Sequence, residues 1–187
     1  LLIKWASQLF FLESICMIKE KHYTFILLSI TFSFIFFMGL SRIADYDIFY
    51  HLTTGKHILN TGKISHPIDP YSYTSIRVIS TTSAWLADVI FYNIYSFSGI
   101  TGLTLFKAIV ITLVLFIVYL NMQILTQENP WSKYIFILLL ITAAFAIRMR
   151  MFIRPFIFEF LLLSTYFYIL NLYRVKHKNY ISELKNI

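Results

Sequence analysis

Asp45 and Asp47 stand two residues apart in "ADYDIFYHLTTGK", and His51 follows four residues after Asp47. Residues four apart share a helical face, so Asp47 and His51 can meet the same substrate. A carboxylate at a membrane-surface cleft can act as a general base on an acceptor hydroxyl. Two carboxylates with a histidine can also hold a divalent ion, which leaves a metal at Asp45 and Asp47 open. The structural alternative is an acidic helix start, with Asp45 as N-cap and Asp47 in the first turn.

A second group is basic. Arg148, Arg150 and Arg154 crowd into "RMRMFIRP". Arginine holds phosphate by forked hydrogen bonds, so these residues are candidate binders of a phosphate or pyrophosphate. Snorkelling to lipid headgroups is the alternative. Two further charges, Lys107 and Glu159, fall inside apolar segments. Charges there are costly and face a cavity or one another. The expected arrangement is a structural Lys107–Glu159 pair between two spans.

These groups need elements to carry them, and composition says which kind. The chain has 187 residues, of which 58% are hydrophobic and 13% charged. Soluble domains carry about 25% charged residues, so an integral membrane protein is expected. The formal charge of +7 suits anionic lipid headgroups or a bound lipid phosphate. Its cations are scattered among apolar segments, which argues against a nucleic-acid partner. The single cysteine, Cys16, excludes an intramolecular disulfide.

A bilayer core of about 30 Å needs roughly 20 apolar residues per helix. Four spans are expected, at about 23–41, 100–120, 134–148 and 155–173. The loop 42–99 is too long for an ordinary connection and is a candidate functional element. Within it, 46–59 reads as an amphipathic helix with Ile48, Phe49, Leu52, Ile58 and Leu59 as its apolar positions, closed by Gly62 as a C-cap. The prolines of "HPIDPYSYTS" enforce an extended, turn-rich path. A second helix at 84–97, bearing Asp88, is too short to span comfortably and reads as juxtamembrane. "SGITG" separates it from the next span.

With the N-terminus in the cytoplasm, eight Lys and Arg lie inside and seven outside. This weakly favours four spans and an extracytoplasmic long loop. Residues 1–16 read either as a non-native extension or as an interfacial helix, and 17–187 as one transmembrane domain. "MIKEKHYTF" from Met17 reads as a bacterial start, which suggests the inner membrane.

The order of these features resembles the polytopic membrane glycosyltransferases of the C-type superfamily (GT-C). The resemblance rests on a first span, the acidic pair Asp45 and Asp47, an amphipathic helix, a polar linker and a second juxtamembrane helix. More closely, the D-x-D-x-x-x-H-L-x-T-G pattern, "DPYSYT", the Trp85-Leu86 pair and Arg154-Pro155 are similar to a bacterial group of membrane proteins within that superfamily. That group often has an acidic residue before the Trp-Leu pair, where this chain has Ala84.

The resemblance covers about 23–173 and implies an all-α fold with a GT-C-like N-terminal module. It implies sugar transfer from a polyprenyl-phosphate donor to an extracytoplasmic acceptor. Asp45 or Asp47 would be the catalytic base or a metal ligand, and His51, Arg148, Arg150 and Arg154 would bind substrate. Superfamily members have more spans, so the chain is expected to be the N-terminal portion of a longer protein. The other reading is a non-enzymatic membrane scaffold or polysaccharide-assembly subunit, in which the aspartates only cap a helix.

Overall fold

The computed structural model describes residues 22–66, 80–125, 131–147 and 152–185. Residues 1–16, and with them the expected extension, lie outside the described residues. Among the described residues the regular structure is helical apart from one two-residue antiparallel pairing. Helix α1 runs His22–Gly39 and α2 Asp47–Thr61. Strand β1 (Ser65–His66) pairs with β2 (Ser80–Thr81). Then come α3 (Trp85–Leu125), α4 (Ser132–Ile147) and α5 (Phe156–Lys185).

Three of these, α1, α3 and α5, are long and apolar enough to cross a membrane, which is compatible with an integral membrane protein. Helix α4 is apolar but has 16 residues, about 24 Å of rise. Large apolar side chains stand exposed along α1, α4 and α5, among them Phe25, Ile30, Leu138, Leu162 and Phe167. An apolar solvent gives them a favourable environment that water does not.

The expected break between the juxtamembrane helix and the following span is smaller than "SGITG". Trp85–Leu125 is one element of 41 residues, and only Gly99 leaves helical geometry, at φ 64 and ψ −157. That conformation is open to glycine and strained for other residues. The result is a kink within one continuous apolar helix.

Helix α2 begins where Asp45 accepts the Asp47 backbone N–H at 3.2 Å. Tyr46 occupies the N-cap position without a side-chain capping bond. The helix ends as expected at Gly62, left-handed at φ 68, whose N–H returns to the Ile58 carbonyl. Of its expected apolar positions, Ile48, Leu52 and Ile58 are buried, whereas Phe49 and Leu59 are exposed. The buried set packs on α3.

Glycine makes that approach close. A Cβ on Gly55 would lie 2.1 Å from the Asp88 carbonyl oxygen. Similarly, a Cβ on Gly39 would lie 2.8 Å from Ala108 Cα, so the end of α1 seats directly on α3. Beneath α2, the fully buried Phe91 stacks on Phe158 of α5 at 5.7 Å and meets Phe106 edge-on at 6.3 Å. Ile153 and Ile157, both buried, fix the start of α5 against this core.

The expected Lys107–Glu159 pair is absent. Lys107 is fully buried, but its Nζ donates to the Ser41 carbonyl at 2.7 Å and to Ser41 Oγ at 3.2 Å. Glu159 is exposed on α5. The physical reason is that α1 leaves carbonyls without helical partners at its C-terminus, and an ammonium satisfies them without a second buried charge.

Gly55→Ala is expected to destabilise the protein by about 1–3 kcal/mol, because backbone rather than a mobile side chain blocks the new methyl. Gly62→Ala, with open space but a left-handed backbone, is expected to cost about 1 kcal/mol. Denaturant titration in detergent, followed by tryptophan fluorescence, measures both. Equal stability of Gly55→Ala and wild type would contradict the close α2–α3 seat.

Candidate functional site

The site is built from the two ends of the sequence motifs. The short connection after α1 delivers Asp45 and Asp47 at the first turn of α2. Pro155 sets the start of α5, where the Ile157 and Phe158 amides bond the Arg154 and Pro155 carbonyls. Arg154, just before that turn, faces the aspartates.

Its guanidinium bridges both. Nε donates to Asp45 Oδ2 at 2.5 Å and Nη2 to Asp45 Oδ1 at 3.1 Å, a bidentate pair. Nη2 also lies 2.7 Å from Asp47 Oδ2. The Asp45 side chain is 7% exposed and that of Asp47 57%. Arg154 is itself partly exposed and lies over the Phe152 ring at 5.6 Å. The hydrogen-bonded Arg154 is the main reason that the Asp45 carboxyl sits below its ordinary pKa, with the Asp47 N–H and the nearby His51 pulling the same way. Reciprocally, the Asp45 hydrogen bond raises Arg154 and keeps it charged.

The expected face-sharing of Asp47 and His51 does not become a bond between them. His51 turns inward, and its Nδ1 lies 2.6 Å from Asp88 Oδ1. Asp88 is fully buried. Its other oxygen accepts from Thr82 Oγ1 at 3.0 Å, while Thr82 Oγ1 accepts the Ala84 N–H at 3.2 Å. Thr82 and Asp88 thus close the first turn of α3, whose positive end favours the carboxylate. The β1–β2 pairing returns the chain to bring Thr82 to this place. Edge contacts with Phe91 at 6.1 Å and Tyr50 at 5.6 Å flank the His51 ring.

Two hollows adjoin these groups. A cavity of about 220 Å³ lies between the start of α2 and residues Ile100 and Leu103 of α3, with Asp45 in its wall. An apolar groove of about 470 Å³ runs among α3, α4 and α5, lined by Ile111, Leu115, Ile147, Phe152, Phe156 and Phe160. Phe152, the ring under Arg154, forms part of its wall.

Asp45, Asp47 and Arg154 are therefore brought together, and His51, bonded to Asp88, stands one helical turn further along α2. Arg148 and Arg150 lie outside the described residues. Among the described residues no three His, Cys, Asp or Glu side chains converge as a metal ligand set. A cation at Asp45 and Asp47 would have to displace the guanidinium that already binds both, so these residues do not fit one.

Asp88 and Thr82 were not singled out by sequence. The available signal was Asp88 on the apolar stripe of its helix, between Ala84 and Phe91. A carboxylate in that position requires a buried partner. No family model, curated protein or solved structure matches this chain.

The low Asp45 pKa has a signed consequence. Its stabilisation is complete above the ordinary carboxylate pKa and disappears as pH falls through the depressed one. Wild type should therefore lose thermal stability on acidification below about pH 4 more steeply than Arg154→Gln. Melting curves of the two proteins in detergent across that range test it, and parallel acid limbs would contradict the ion pair.

Proposed function

We propose that this chain belongs to a membrane glycosyltransferase of the GT-C type, with four spans, a cytoplasmic N-terminus and its long loop outside the bacterial inner membrane. It transfers a sugar from a polyprenyl-phosphate donor to an extracytoplasmic acceptor. The observation that carries this reading is the meeting of Asp45 and Asp47 with Arg154 beside an apolar groove. A lipid phosphate needs both features, a cation for its head and an apolar channel for its chain.

In this reading Arg154 is shared between the acidic pair and the donor phosphate. Its guanidinium offers five N–H donors in a fixed fork, and the contacts to the aspartates use only part of that set. The leaving phosphate gains negative charge as the glycosidic bond breaks, and a preorganised guanidinium stabilises it. Asp45 holds the guanidinium in place. Asp47, the exposed member, accepts a hydrogen bond from the acceptor hydroxyl. The groove beside Phe152 and Phe156 takes the first isoprene units of the donor. Arg148 and Arg150 would add to the phosphate site.

A second reading has its own support. Asp45 accepts the Asp47 N–H at the start of α2 and binds Arg154 bidentately, which by itself would clamp the loop to α5 in a scaffold without chemistry.

The two separate on one assay. In membrane vesicles containing the protein and given radiolabelled polyprenyl-phosphate sugar, Asp47→Ala should lower transfer by about 100-fold or more while inserting normally. Arg154→Lys should weaken donor use, because a point charge cannot reproduce the fork. Vesicles that transfer no sugar would favour the scaffold, whereas an Asp47→Ala protein with full activity would remove Asp47 from the site.

A further inference from the structure

We infer that His51, oriented by the buried Asp88, is the base that takes the acceptor's proton. The inference rests on the sugar-transfer reading and adds the group that the acidic pair does not supply.

The argument starts from Asp88. A fully buried carboxylate is stable only if its oxygens are bonded, and both are, by His51 Nδ1 at 2.6 Å and Thr82 Oγ1 at 3.0 Å. An ionised carboxylate only accepts hydrogen bonds, so Nδ1 carries the hydrogen. The neutral ring then has its lone pair on Nε2. Among the described residues Nε2 has no hydrogen-bond partner, and the side chain is 13% exposed, so it is sheltered but reachable. The flanking rings of Phe91 and Tyr50 restrict the imidazole plane. This is the relation of a histidine base to its orienting carboxylate.

The acidic pair is less suited to the task. Arg154 binds Asp45 through both oxygens and lowers its affinity for a proton, and it also engages Asp47. His51 follows Asp47 by one helical turn, where side chains are about 5–6 Å apart at Cβ. An acceptor hydroxyl bonded to Asp47 is therefore within a turn of the imidazole.

The step balances. The acceptor oxygen forms a bond to the anomeric carbon and releases its proton to Nε2. The bond between that carbon and the phosphate oxygen breaks, and its electron pair leaves with polyprenyl phosphate. No oxidant or further reactant is needed. Asp88 is a positioning residue, since it acts through His51.

The test uses the same vesicle assay. His51→Ala should lower kcat by about 100-fold or more with KM changed less than about threefold, and added imidazole should restore at least about tenfold of the loss. Asp88→Asn should also lower kcat with KM retained, because an amide can donate to Nδ1 and favour the wrong tautomer. A purely structural His51 would give a loss that imidazole does not relieve, and that result overturns the inference. So does a His51→Ala protein with kcat within about threefold of wild type. In both cases wild-type transfer still stands, and with it the sugar-transfer reading. Absence of transfer in wild type overturns the reading and the inference together.

Discussion

Arg154 is the constraint on which the polar end of this protein depends. It lies 109 residues from Asp45 along the chain and binds that carboxylate through both of its oxygens. Such a contact fixes orientation as well as distance, because the guanidinium fork is planar. The start of α2 and the start of α5 must then lie side by side. Phe91 and Phe158, stacked beneath, and the buried Ile153 make the same demand in apolar terms. Polar and apolar contacts agree on one arrangement, which is what gives a sequence a single structure.

The spans follow a different rule. Where helix and surroundings are equally apolar, close packing and hydrogen bonds decide association. Gly39 lets α1 touch Ala108 of α3, and Lys107 of α3 satisfies the Ser41 carbonyl just beyond α1. Toward the other end, Asn171 of α5 donates to Asn121 of α3 at 3.0 Å, and Asn121 donates to the Ser164 carbonyl at 3.2 Å. Lys107, Asn121 and Asn171 thus each have a partner on another segment, whereas Thr31, Thr112 and Thr142 bond carbonyls of their own helices. The kink at Gly99 divides this region of α3 from the half that carries Asp88.

How much of this was legible in the sequence depended on the range of the interaction. Local signals were clear. Periodicity located α2, Gly62 marked its end, and the apolar runs marked the helices. Long-range pairings were not legible in the same way. The charge inside 100–120 was visible, but a backbone carbonyl as its partner leaves no trace in residue types, so Glu159 was the wrong choice. The acidic pair and Arg154 were each recognised as chemistry-bearing, yet nothing in spacing says that they touch. Asp88 looked like one polar residue of a juxtamembrane helix, because burial comes from α2 lying across it, and that close approach needs Gly55. "SGITG" offered two glycines, and only the backbone angles reveal that Gly99 alone takes the bend.

The account stands or falls on Arg154 and the acidic pair acting as one unit. A double-mutant cycle of Asp45→Asn and Arg154→Gln, read by thermal stability in detergent, measures this directly. If the two form one contact, the second substitution adds little to the first, and the double variant melts close to the worse single variant. Losses that simply add would mean that the two residues act separately, which would contradict the site described.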